Sequence, residues 1–163
     1  RPFSELAIVR KFSVLNNYFA YFSSCNRNFH LAGSQNHNHH WCGVCPKCAF
    51  VFLCLAPYIN KVQLVSIFKK DLLVDTSLKP LFESLLGLQG NKPFECVGEQ
   101  QECRLALQLL SQHKDWQNQQ QIRQWIKVLP DISVQEANEI MGASDAHIIP
   151  SKRNFRQVLI NAA

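Results

Sequence analysis

Four cysteines constrain this chain more than any other feature. The stretch from Cys25 to Cys48 reads CNRNFHLAGSQNHNHHWCGVCPKC, which places Cys25, Cys42, Cys45 and Cys48 in a lone-cysteine then CxxCxxC pattern. Four thiolates are the usual set for a closed tetrahedral zinc site, and a two-residue spacer lets the backbone fold back so that neighbouring sulfurs reach one ion. Such a shell leaves no open position for water, so the zinc it predicts is structural rather than catalytic. Gly43 permits the turn between Cys42 and Cys45, and Pro46 suits the first position of a helix that carries Cys48 and the apolar run AFVFLCLA. Cys45 then falls at the helix cap, where free amides and the positive end of the helix dipole favour a thiolate over a thiol.

Seven cysteines also allow a disulfide framework, but the odd count and the metal-like spacing argue against one. Cys54, Cys96 and Cys103 lack that spacing and read as buried or reactive thiols. His30, His37, His39 and His40 crowd the same loop and offer a replacement ligand. The HNHH run reads more simply as a polar loop in an insertion rich in turn-forming residues. Trp41 is placed to shield the sulfurs, while Trp116 and Trp125 read as core or edge packing.

With 163 residues and 47% apolar content, the chain can bury a real core as one domain. No apolar run is long enough to cross a bilayer, and reduced cysteines without a targeting segment point to a soluble, cytoplasmic protein. The formal charge of +5 falls to +3 once four thiolates hold one divalent ion. That excess does not by itself call for nucleic acid, although Lys152, Arg153 and Arg156 make the end of the chain basic. Arg1 opens directly into RPFSELAIVRKF with no initiator methionine, which reads as a piece of a longer protein whose shared sites are half present.

The remaining pattern is helical. Ser4 caps a segment running towards Phe22 that Asn16 and Asn17 can split; Pro46 to Ala56 reads as a buried helix stopped by Pro57, and Lys61 to Phe68 as a second. Asp75, Thr76 and Ser77 offer caps for a helix through Leu78, Leu81, Phe82, Leu85 and Leu86 that Gly87 ends. From Glu99 onwards Cys103, Leu105, Ala106, Leu109 and Leu110 share a face, with Gln101, Arg104, Gln108 and Gln112 largely outside it. A further helix holds Ile122, Trp125, Ile126 and Leu129, and Ser133 with Glu136 forms a capping box for a last one through Met141 and Gly142. The fold class is thus mainly α around a four-cysteine zinc-binding loop, with 25–56 the loop and its helix, 57–142 a helical region and 143–163 a basic, loose tail.

Outside the cysteines, chemistry is densest in Lys92, Pro93, Phe94, Glu95, Cys96, Val97, Gly98 and Glu99. A carboxylate or thiolate there can exchange a proton with a substrate carbon, and Lys92 can hold an anionic group. The simpler alternative is a loop in which Glu99 favours the start of a helix electrostatically. Arg1 precedes the first helix and Arg27 follows the first cysteine, where a guanidinium can grip phosphate or carboxylate in a two-pronged fashion. For Arg10 and Lys11 a surface ion pair is the expectation.

SCNRNF, WCGVCPKCAFVFLCLAP and KPFECVGE, in that order, resemble the C-terminal part of the ATP-dependent UDP-N-acetylmuramoyl-L-alanyl-L-glutamate epimerases of bacterial peptidoglycan synthesis. The likeness runs from Arg1 to about Leu110. The lone cysteine followed by CGxCxxC is also similar to the zinc loop of cyano-deazaguanine synthases, which belong to the PP-loop ATP pyrophosphatases. RPFSELAIVRKF resembles the segment after a late sheet strand of that fold, so 1–24 would be the tail end of a nucleotide-binding domain in an α/β PP-loop-like enzyme. No SGGxDS-type phosphate loop is present. The resemblance implies an enzyme that uses ATP and magnesium to activate the α-carboxyl of a terminal L-glutamate, so that its α-proton can be removed and returned from the other face. On that reading Cys25, Cys42, Cys45 and Cys48 carry zinc, Glu99 and Cys96 are candidates for proton transfer, and Lys92, Arg1 and Arg27 for holding anions. The partners implied are the nucleotide-linked muropeptide and the missing N-terminal part of the protein, with no membrane and no nucleic acid. The competing readings are a zinc-dependent nucleic-acid-binding module and a purely structural domain that zinc holds folded.

Overall fold

The computed structural model describes residues 3–28, 40–93 and 97–142. Among these the secondary structure is helical throughout: α1 (Glu5–Phe12), α2 (Pro46–Leu55), α3 (Lys61–Phe68), α4 (Lys79–Leu86), α5 (Gln100–Ser111), α6 (Gln120–Val128) and α7 (Val134–Met141), with 3-10 turns at Asn16–Tyr18 and Thr76–Leu78. The split expected near Asn16 and Asn17 is therefore real, and so is the stop at Gly87, which takes the left-handed conformation at φ +71°. Thr76 to Leu78 form a tighter turn rather than the start of α4, because Asp75 turns its carboxylate onto the Ser77 amide and hydroxyl. The expected loose tail at 143–163 lies outside the described residues. No helix among the described residues is long and apolar enough to cross a membrane.

The core is built round α2. From Cys48 to Leu55 every residue of this helix is buried, so it is apolar on all sides and must be surrounded. It packs against α1, α3, α4 and α5. Each fully buried Phe or Leu here contributes about 1.5–3 kcal/mol relative to exposure. α5 covers one side with Cys103, Leu105, Ala106, Leu107 and Leu110. Leu107 lies in the core while Leu109 is only half-buried, so the buried face is turned slightly from the one expected. The polar residues of α5 bind neighbours: Arg104 Nε donates to the Leu86 carbonyl (2.8 Å) at the end of α4. The Gln108 amide bonds both ways to the Ile132 backbone, accepting at 2.8 Å and donating at 3.1 Å.

Glu83 is 8% exposed, accepts hydrogen bonds from the Trp125 indole (3.2 Å) and from Gln89, and forms an ion pair with Lys79 (3.8 Å), which settles a carboxylate under α6. Ring contacts run from α1 into the core: Phe12 on Phe22 (4.6 Å), Phe22 on Trp41 (5.1 Å), Trp41 on Phe68 (4.7 Å), Phe68 on Phe52 (5.1 Å) and Phe52 on Trp116 (5.8 Å). Trp41 immediately precedes Cys42, so this series anchors the cysteine loop to both α1 and α3.

Candidate metal centre

The cysteine loop closes through short-range chemistry. Ser23 donates its hydroxyl to the His40 carbonyl (2.5 Å) and accepts the Cys25 amide (3.2 Å), joining the stretch of chain before Cys25 to the one before Cys42. Gly43 turns the backbone at φ +66°, a conformation glycine adopts at no cost. Cys45 is the N-cap of α2 with extended angles, Pro46 occupies the first helical turn, and Cys48 follows one turn on. This is the arrangement the spacing predicts.

The four sulfurs lie within 4.8 Å of one another. Cys45 and Cys48 are separated by 3.4 Å, Cys42 and Cys48 by 3.7 Å, and Cys25 and Cys45 by 3.9 Å. Thiolates bound tetrahedrally to zinc at about 2.3 Å lie about 3.8 Å from each other, so the shell already has the dimensions of a loaded site. The same separations exclude disulfides, whose sulfurs lie about 2.05 Å apart, and all four thiols are free. Cys25, Cys45 and Cys48 are buried and Cys42 is half-buried. His40 is exposed and stands outside the sulfur group. His30, His37 and His39 lie outside the described residues.

Backbone amides supply the surrounding charge. The Cys42 amide points at the Cys25 sulfur (3.4 Å), those of Val44 and Cys45 at Cys42, that of Cys48 at Cys45 and that of Gly43 at Cys48. The Cys48 thiol and its amide hold the Cys45 thiol down at about 4, whereas burial raises Cys42, and the proton shared with Cys45 together with burial raises Cys48. Cys45 is therefore favoured as a thiolate, while Cys42 and Cys48 are held towards the protonated form. The donor set fits a divalent, thiophilic ion such as zinc, whose binding would displace the remaining protons.

Of the second set of expected residues, Gly98 lies directly against α2. A Cβ on Gly98 would stand 2.6 Å from Phe50 Cζ, so only glycine allows the chain this close to the ring. The ammonium of Lys47 lies over the same ring at 5.5 Å. Glu99 is the N-cap of α5, and its exposed carboxylate meets Lys92 at 3.3 Å. Arg27 is exposed beside the metal loop. Arg1, Glu95 and Cys96 lie outside the described residues. Arg10 and Lys11 make no ion pair among the described residues, contrary to expectation; Lys11 sits instead over the Phe3 ring at 5.0 Å.

Sequence reasoning missed Glu102. It is 5% exposed, and its two oxygens accept the Leu6 amide (2.7 Å) and the Glu99 amide (3.2 Å), tying the start of α1 to the start of α5. A carboxylate three residues after Glu99 was the available signal, since that position reaches back to the cap. Cys54 and Cys103 are buried thiols, as expected, and burial pushes Cys103 up to about 12 and Cys54 well above its ordinary value.

A helical domain folded round a four-cysteine, zinc-type centre defines the class. The family described as the MurL C-terminal domain matches residues 21–140, and the chain belongs to that family. The match takes in α6 and most of α7, so the likeness extends well past the Leu110 limit expected from motifs. Relatives named UDP-N-acetyl-alpha-D-muramoyl-L-alanyl-L-glutamate epimerase include one from Xanthomonas oryzae pv. oryzae, 43% identical over 92% of this chain and 34% of the relative. Others come from a Micromonospora strain, 38% identical over 92% of this chain and 33% of the relative, and from Salinispora tropica, 40% identical over 80% and 28%. The chain thus spans about a third of the length of these relatives. No solved structure matches it.

Proposed function

We propose that this domain forms the zinc-held C-terminal part of an ATP-dependent epimerase that converts UDP-N-acetylmuramoyl-L-alanyl-L-glutamate to the D-glutamate form in cytoplasmic peptidoglycan synthesis. The observation that carries this is the 43% identity over 92% of the chain to a protein named for that reaction. In this reading residues 1–24 belong to the end of a PP-loop-like nucleotide-binding domain, and ATP with magnesium acts there. The glutamate α-carboxylate attacks the α-phosphorus of ATP and pyrophosphate leaves. The acyl-adenylate lacks the carboxylate's negative charge, so a base can remove the neighbouring α-proton, and a proton is returned to the opposite face. Water then cleaves the adenylate to give AMP and the D-glutamyl product.

The residues of this chain have three tasks in that scheme. Cys25, Cys42, Cys45 and Cys48 hold zinc, which fixes the first turn of α2 and the loop against it. Glu99 and Cys96 exchange the proton, and Lys92, Arg1 and Arg27 hold the anionic groups of the substrate. The Lys92–Glu99 pair at 3.3 Å, which sets a carboxylate beside a cation, supports this division of tasks.

The test joins this domain to the remaining two thirds of a relative-length chain. Incubation with substrate, ATP and magnesium in deuterium oxide should label the glutamate α-carbon and yield D-glutamate on chiral analysis. Glu99→Gln and Cys96→Ser should each slow labelling by about 100-fold or more while zinc stays bound. Unlabelled glutamate in the wild-type protein would remove the proposal.

A further inference from the structure

A cleft of about 470 Å3 opens between the metal loop and α3. Trp41 forms one wall, and Asn16, His40, Gln63, Ser66 and Lys69 bring hydrogen-bonding groups to it. Its volume falls in the range that small-molecule sites occupy. No carboxylate is among the residues lining it, and Lys69 is its single lysine or arginine.

Lys69 has unusual backbone geometry. It is the C-cap of α3 and lies at φ +63°, the one positive φ outside glycine among the described residues. Glycine or asparagine is the ordinary choice there. Its neighbours fix it in place: Phe68 packs on Trp41 and Phe52, and the Lys70 side chain crosses Gly43, where a Cβ would stand 2.8 Å from Lys70 Cε. Lys70 also pairs with Asp75 at 3.0 Å. Lys69 has no ion pair or hydrogen bond from its ammonium among the described residues. A strained position thus carries an unpaired ammonium beside an aromatic wall.

We propose that this cleft binds the oxyanion, phosphate or carboxylate, of a small ligand that also carries a flat or apolar portion. Lys69 supplies the charge, Asn16, Gln63, Ser66 and His40 the hydrogen bonds, and Trp41 the apolar surface. This rests on the proposed function for the identity of the ligand: the nucleotide-linked muropeptide carries both a diphosphate and a glutamate dicarboxylate. Binding at a position away from the reacting carbon supplies energy that the enzyme uses to orient it.

The experiment follows amide signals of the zinc-loaded, 15N-labelled protein during titration with UDP, with L-alanyl-L-glutamate and with the complete UDP-muropeptide. Signals of His40, Gln63, Ser66 and Lys69 should shift together, and the arm that shifts them identifies the anion as phosphate or carboxylate. Lys69→Gly keeps the left-handed backbone and the fold, so its thermal midpoint should not fall, while its affinity should drop by about tenfold or more. Lys69→Arg should retain binding. The assignment is overturned if all three ligands leave those signals unmoved at millimolar concentration, or if Lys69→Gly binds as tightly as the parent. Muropeptide that binds elsewhere and ignores Lys69 defeats the cleft and spares the epimerase reading. UDP or dipeptide bound in the cleft, with no α-carbon exchange in the longer protein, does the reverse.

Discussion

The carboxylate of Glu102 accepts the Leu6 amide at 2.7 Å across 96 residues of sequence. With its other oxygen on the Glu99 amide, it serves two helix starts at once. Replacing it by alanine leaves two amide donors without a partner near the core. Glu102→Ala should cost about 2–4 kcal/mol and Glu102→Gln, which keeps an acceptor, about half as much, measured by urea unfolding of the zinc-loaded protein. Equal stability of all three proteins would show that these bonds are replaced by water.

The sulfur shell makes a prediction about metal. Addition of a strong zinc chelator should unfold the domain in a single transition seen by far-UV circular dichroism, and Cys45→Ser should weaken metal affinity by at least about tenfold. Zinc should also be released as pH falls, because protons compete for the four thiolates. Retention of full helicity after complete metal removal would contradict the arrangement.

Alkaline pH should weaken the fold through a different pair of thiols. Cys103 is pushed up to about 12 and Cys54 is raised by burial, so the folded state keeps protons that the unfolded chain loses above about 9. Stability is fully present below the unfolded value and is lost as pH rises towards 12. Cys103 alone should account for about 1–2 kcal/mol by about pH 10. Cys103→Ala should flatten part of that slope in chemical denaturation at stepped pH, and an unchanged slope would assign the effect elsewhere.

The contact of Gly98 with Phe50 gives a paired test. Gly98→Ala places a methyl 2.6 Å from the ring and should cost about 1–3 kcal/mol. Phe50→Leu in the same protein should recover part of the loss, so the double-mutant cycle should show coupling of at least about 0.5 kcal/mol. Additive losses would mean that the backbone moves away instead.

Features fixed by neighbours in sequence were legible in advance. The CxxCxxC turn, Cys45 as cap, α3 over Lys61–Phe68, the Gly87 stop and the Ser133–Glu136 box all follow from rules that span a turn or two. Glu102 and Glu83 were not legible as buried acids, since their partners Leu6 and Trp125 lie 96 and 42 residues away and only the fold delivers them. The left-handed angle at Lys69 carries no local signal, since neither glycine nor asparagine stands there. The resemblance supplied the proposed reaction, which no spacing or periodicity in the chain can express.

Cys45 and Cys48 sit at one end of a ten-residue helix that is also the centre of the core. Such a helix is about 15 Å long, enough to reach from the sulfur shell into the middle of the core. An ion held by the four sulfurs would therefore act as a keystone rather than an ornament, fixing the end of the helix on which the core is built. Trace-metal supply would then enter at the birth of each molecule, as a condition for becoming folded, and not as a dial turned on the finished product.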